Sequence, residues 1–246
     1  MKRNLPKTDM LLDLIRDGRP MTLRQQLRLT IELSVPAIIA QLSSIIMQYI
    51  DAAMVGRIGA EASASIGLVS TTTWLFWGLC TAAATGFSVQ VAHRIGAGDL
   101  KGARMILQQS LAGTLVFSLL LAILGAGISS SLPAWLGGDV SIRRDASVYF
   151  FIFSIFLPVL QMIFLVGGML RCSGNMRIPS LLGVIMCVLD VVFNFFLIFP
   201  TRGCSVAGIQ FTLPGAGLGV SGAALGTAAA ETVVAGVLLW YLLIRS

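Results

Sequence analysis

Long apolar stretches with short polar punctuation run from about residue 33 to about residue 244 of this chain. Three of them, Ala62–Ala92, Met105–Gly138 and Ala146–Leu170, contain no Asp, Glu, Lys or Arg. A helix needs about 20 predominantly apolar residues to cross a bilayer, and each run is long enough. Barrel strands would alternate polar and apolar positions over about ten residues, and these runs do not. Lipid offers no partner to bare N–H and C=O groups, so a spanning segment of this kind must be helical. The pattern predicts six transmembrane helices, at about 33–55, 62–92, 105–128, 146–170, 178–199 and 218–244. Residues 1–30 read as a polar, mixed-charge segment with an amphipathic helix. Thr22 and Gln25 have the spacing of a capping box for a helix that continues through Leu27 and Ile31 into the first span.

Proline and glycine mark the helices further. Pro36 and Pro158 fall inside the first and fourth spans, where each removes a backbone hydrogen bond and invites a kink. Pro179 suits the first turn of the fifth span. Gly222 and Gly226 form a Gly-x-x-x-Gly pair in the sixth, which permits close helix approach.

Composition removes the soluble alternative. The chain is 56% hydrophobic and 11% charged, against roughly 45–50% and about 25% for soluble domains. The net charge of +6 could point to nucleic acid, but its distribution does not. With a cytoplasmic N-terminus, thirteen of the 17 Lys and Arg residues fall on the inside, and Arg57, Arg143, Arg144 and Arg202 fall outside. That asymmetry is the positive-inside signature, so the basic charge sets topology in a multi-pass inner-membrane protein with both termini inside.

Enzyme chemistry finds no footing. Cys80, Cys172, Cys187 and Cys204 lack metal-ligand spacing, and the one histidine, His93, sits beside Arg94 at a span boundary. The Gly96-Ala-Gly98 loop lacks the Lys-Ser/Thr ending of a phosphate-binding loop. Neither a nucleophile–base pair nor a cofactor site is expected.

Acidic residues inside the spans carry the functional signal. A carboxylate at bilayer depth costs about 2.5–3.5 kcal/mol on insertion scales, and such groups usually handle ions, protons or charged substrates. In the first span Gln41, Ser44, Gln48 and Asp51 recur at spacings of three, four and three, which places them along one helix face. In the fifth, Asp190 and Asn194 lie one turn apart. Their oxygens suit a hard cation such as sodium, so a transported Na+ at Asp51, Asp190 and Asn194 is one reading. A proton shared between Asp51 and Asp190 is the other, because neighbouring carboxylates resist joint ionisation. Glu231 in the sixth span is an isolated acid after Ala228-Ala-Ala230. The bland reading of all these groups is hydrogen bonding between packed helices.

At these residues the chain resembles multidrug and toxic compound extrusion (MATE) transporters. Asp51-Ala-Ala-Met-Val-Gly-Arg-Ile-Gly-Ala-Glu61, after a proline-containing first span, is similar to that family's signature. Ile95-Gly-Ala-Gly-Asp-Leu100, Leu170-Arg-Cys-Ser-Gly-Asn-Met-Arg-Ile-Pro179 and Val220-Ser-Gly-Ala-Ala-Leu-Gly-Thr227 resemble its later loops in the same order. The likeness covers about residues 31–246 and departs at His93 and Cys172. In span five the family commonly has Asn followed by an acid, whereas here Asp190 precedes Asn194.

The resemblance implies an all-α integral membrane protein, a six-transmembrane-helix bundle forming one lobe of a two-lobe (6+6) secondary transporter. The lobe at 31–246 would pair with a second six-helix lobe, a missing C-terminal half or, as the runner-up, another copy in a homodimer. The expected function is cation-coupled (Na+ or H+) antiport that exports small organic, cationic compounds. Asp51, Asp190 and Asn194 would couple the ion, while Gln41, Gln48, Gln161 and Glu231 would line the substrate path. The alternatives are a flippase for lipids or lipid-linked precursors, or a non-transporting membrane scaffold.

Overall fold

The capping signal at Thr22 is realised in the structure. The computed structural model describes residues 18–206 and 209–245 together with Leu11 and Leu14, and their side chains except at 202–211, 213 and 243–245. The Thr22 hydroxyl accepts from the Gln25 N–H at 3.4 Å, and the Gln25 side chain accepts from the Thr22 N–H at 2.9 Å. Apart from Leu11 and Leu14, the segment before Gly18 lies outside the described residues.

Helix α1 follows as Leu23–Gly56, then α2 as Ala60–Gly96, α3 as Leu100–Ile128 and a single turn, α4, as Leu132–Trp135. Next come α5 (Val140–Cys172), α6 (Arg177–Ile198), strands β1 (Pro200–Val206) and β2 (Ile209–Ala216), and α7 (Gly219–Arg245). Among the described residues, six helices, α1–α3 and α5–α7, are long and apolar enough to cross a membrane. Several run past the predicted spans. The 34 residues of α1 extend about 50 Å at 1.5 Å per residue, beyond a hydrocarbon core of about 30 Å. Hydropathy ends where polar residues begin, but a helix ends only where its terminal groups find caps. Asp99 and Asp139 are such caps. They accept from the Gly102 N–H at 2.8 Å and the Ser141 N–H at 2.9 Å. The latter bond, the larger influence, and nearby Arg143 hold the Asp139 carboxyl below its ordinary pKa of 3.8. Pro36 and Pro158 leave α1 and α5 continuous.

Between the predicted fifth and sixth spans, hydropathy assigns no element, yet the chain forms an antiparallel hairpin. Gly203 lies opposite Thr212 and Val206 opposite Ile209. The backbone polar groups satisfy one another there. Thr201 Oγ1 closes the hairpin's base by donating to Gly215 O and accepting from Gly215 N, each at 3.1 Å.

Helix α5 is the hub of the bundle, packed against α2, α3 and α7, while α6 fills the space between α1 and α7. Phe76 of α2 meets Phe150 of α5 edge to face, with centroids 5.7 Å apart. Small residues set the close approaches: a Cβ on Gly125 of α3 would collide with Ser154, and one on Gly168 of α5 with Ser88. The buried hydroxyls of Ser88, Thr114 and Ser154 each donate to the carbonyl four residues earlier, at 2.7–2.8 Å. These interfaces are therefore polar in composition while each of these hydroxyls keeps its hydrogen bond. Helix α1 is the least enclosed span, with 6% of its apolar window buried against 50% for α7.

Candidate functional site

Two buried groups on α6 define the centre of the site. Asp190 and Asn194, one turn apart, are both fully buried. Helix α1 packs on this face of α6 and brings Asp51, which is half-buried, to the same point. An amide NH2 carries two donors, and Asn194 uses both. Its Nδ2 donates to Asp51 Oδ1 at 2.9 Å and to Asp190 Oδ2 at 3.1 Å. One amide thus bridges two carboxyl groups 139 residues apart in sequence, since 190 less 51 is 139. The inverted order of acid and amide in α6 does not prevent this, because the amide occupies the middle of the cluster. Asp190 Oδ1 and Asn194 Oδ1 have no hydrogen-bond partner among the described residues. The Thr227 hydroxyl of α7 lies beside Asp190.

Helix α7 can come this close because of glycine. A Cβ at position 226 would run into Asn194 Oδ1, and one at 222 would lie 2.5 Å from the Leu197 carbonyl oxygen. The Gly-x-x-x-Gly pair is therefore the seam between α6 and α7, and Gly226 forms the wall against which the bridging amide rests.

The four polar positions of α1 divide between two sides. At about 100° per residue, Gln41 and Gln48 lie along one edge of a stripe about 80° wide, and Ser44 and Asp51 along the other. The second edge faces α6, where Ser44 meets Cys187. Gln48 turns toward α2 and, with Thr73, Trp74, Trp77 and Phe153, lines a cavity of about 190 Å³. Gln41 is exposed and lines neither this cavity nor its neighbour. Gln161, on α5, is wholly buried, and neither amide atom has a partner among the described residues.

Glu231 lines a second cavity of about 140 Å³, together with Tyr149, Phe156 and Thr227, and shares Trp77 and Phe153 with the first. Tyr149 joins this cavity to the carboxyl cluster, being near enough to feel the charges of Asp51, Glu231 and Asp190. Sequence reasoning passed over Tyr149 and Thr227. Tyr149 gives no signal within an aromatic-rich span. Thr227 ends a motif already singled out, and its place one residue after Gly226 was a usable cue.

The arrangement presents two carboxyl groups and an amide oxygen, with unfilled acceptor capacity, beside an aromatic cavity holding a third acid. Hard cations favour such oxygen sets. Among the described residues there is no group of three or more His, Cys, Asp or Glu suited to a metal.

A family model described as MatE matches residues 36–196, which contain Asp51, Asp190 and Asn194. The chain belongs to the MatE family. The multidrug resistance protein PmpM of Pseudomonas aeruginosa is 25% identical over 190 residues, covering 74% of this chain and 38% of that protein. The FAD transporter of Shewanella oneidensis is 24% identical over 175 residues, covering 70% of this chain and 38% of that protein. A MOP superfamily transporter from Pyrococcus furiosus superposes with a TM-score of 0.76 at 23% identity, over 87% of this chain and 44% of that one. This MatE chain spans less than half the length of the curated relatives it matches. Its six-helix bundle is one lobe of the two-lobe architecture of MATE transporters.

Proposed function

We propose that this MatE chain forms the N-terminal lobe of a multidrug efflux antiporter of the inner membrane. It works with a second six-helix lobe, its N-terminus is cytoplasmic, and Na+ or H+ drives export of organic cations. The observation that carries the reading is the Asn194 bridge between Asp51 and Asp190 in the bundle interior. Two acids facing one neutral amide hold more negative charge than their surroundings balance. A cation or proton there supplies what is lacking.

The same bond couples site occupancy to helix position. Helix α1 leans chiefly on α6 and only slightly on α2, and Asp51–Asn194 is a polar tie across the α1–α6 seam. Neutralising or coordinating Asp51 alters that tie. An ion shifts two conformations only by its differential affinity for them, so the tie must differ between the inward- and outward-facing states. Substrate chemistry follows from the adjoining cavity, where Glu231 and the faces of Trp77, Tyr149 and Phe156 suit an organic cation. The FAD transporter is named for an anionic substrate, but the cavity's charged side chain here is an acid.

The test is efflux by the reconstituted transporter carrying Asp51→Asn. Hydrogen bonds to charged groups are worth about 1.5–3 kcal/mol, so apparent affinity for the coupling ion should fall about tenfold to a hundredfold. Unchanged ion-dependent efflux would remove Asp51 from coupling. Glu231→Gln separates substrate from ion. It should weaken binding of a cationic dye about tenfold to a hundredfold, since a contact to a charged group is worth about 1.5–3 kcal/mol, with ion dependence intact. Equal binding of cationic and neutral substrates by wild type and variant would contradict the cation reading.

A further inference from the structure

The Gln48 and Glu231 cavities share walls. Trp77 and Phe153 line both, so one pair of rings stands between them. Each ring is held from elsewhere in the bundle. Trp77 meets Phe164 edge to face, with centroids 5.1 Å apart and planes at 85°. Phe153 stacks on buried Phe150 with centroids 6.3 Å apart, and Phe150 in turn meets Phe76. At about 140 and 190 Å³, neither cavity alone reaches the roughly 300 Å³ at which small-molecule sites begin. Joined along the shared rings, they pass it. The two ends differ in charge. Glu231 is the charged side chain in the described lining of its cavity, and the described lining around Gln48 has none. What that second end offers is the Gln48 amide, which both donates and accepts, and Thr73. The Thr73 hydroxyl donates to the Ser70 carbonyl at 2.7 Å, so it presents a ligand with lone pairs alone. Gln48 comes from α1 and Glu231 from α7, two helices that meet only lightly.

We propose that the joined cavities bind one planar aromatic cation, and that Gln48 selects for an uncharged N–H group at the end remote from the charge. The proposal rests on Glu231 being the contact for an organic cation, and it names what the rest of that substrate must carry. The ring system lies along Trp77 and Phe153, which hold it by stacking and attract its charge. Its charged end takes Glu231. Its far end meets the Gln48 amide oxygen and the Thr73 hydroxyl oxygen, two acceptors that favour an N–H donor and gain nothing from a bare C–H edge. Binding a ligand that lacks the donor strips water from those acceptors without replacing its hydrogen bonds. Discrimination at this end is therefore a hydrogen bond made or missing, and the aromatic walls are common to both kinds of ligand.

The test is isothermal titration calorimetry of the intact transporter in detergent with two phenanthridinium dyes. Ethidium carries aromatic amino groups, and its deaminated analogue is the same cation without them. The readout is the ratio of their dissociation constants. A neutral hydrogen bond is worth about twofold to tenfold in affinity, so Gln48→Met, of similar length but without the amide, should reduce ethidium's relative affinity by that factor. Affinity for the deaminated dye should not fall in that variant. Glu231→Gln should weaken both dyes alike and keep the ratio. Gln90→Met, which removes an exposed amide of α2 outside both linings, should change neither. A ratio unaltered by Gln48→Met would overturn the proposal, as would equal loss of both dyes in that variant. Affinities untouched by Glu231→Gln would instead overturn the cation reading, and with it the placement of the charged end, whatever Gln48→Met does to the ratio.

Discussion

Asn194→Leu is expected to destabilise the bundle by about 2–6 kcal/mol, because two carboxyl groups lose their shared donor and each unsatisfied buried group costs about 1–3 kcal/mol. Leucine has similar volume, so the loss is electrostatic rather than a cavity. Asp190, fully buried, has no water to turn to, and Asp51, half-buried, has only partial access. Thermal unfolding in detergent measures the effect. The variant should regain stability on adding Na+ or on lowering the pH, since either places positive charge or a proton between the acids. Wild type should gain less. A variant that melts like wild type, with the same response to Na+ and pH, would show that the amide does not hold the acids together.

Gly222→Ala and Gly226→Ala should each cost about 1–3 kcal/mol as overpacked helix contacts, and their consequences should then diverge. The added methyl at 222 meets backbone, with the Leu197 carbonyl carbon 2.7 Å away, so α7 must move off α6. The methyl at 226 meets the Asn194 side chain, so the bridging amide must turn away from Asp51 or Asp190. Ion-dependent stabilisation should therefore vanish in Gly226→Ala and persist, at a lower melting temperature, in Gly222→Ala. If Gly226→Ala keeps the wild-type response to Na+ and to pH, the contact with Asn194 is incidental to the site.

Particular residues show how far the chain could be read from its order alone. Asp190 and Asn194 needed only the helical period to be placed on one face. Thr22 and Gln25 needed only capping chemistry. The apolar runs needed only the thickness of a bilayer to be read as spanning helices, and α3 ends at Ile128, the limit predicted for the third span. The hairpin is different: Pro200, Gly203, Pro214 and Gly215 break any alternation along it, and its strands exist because each is the other's hydrogen-bond partner. Gln41 and Gln48 are a further case. Periodicity put them in one stripe with Asp51, yet the stripe is wide enough that its edges face different neighbours.

Period, length and charge bias are local properties, and they determine the number of spanning helices, the face on which each acid lies and the broad class of the protein. Which face meets which is a different matter, because a helix can rotate about its axis at no cost to its own hydrogen bonds. Packing removes that freedom. The glycine seam brings α7 against α6, and α1 docks on the exposed side of α6. Only then do Asp51, Asp190, Asn194, Thr227 and Tyr149 become neighbours. No spacing rule connects residues so far apart along the chain, so the site's composition belongs to the tertiary structure.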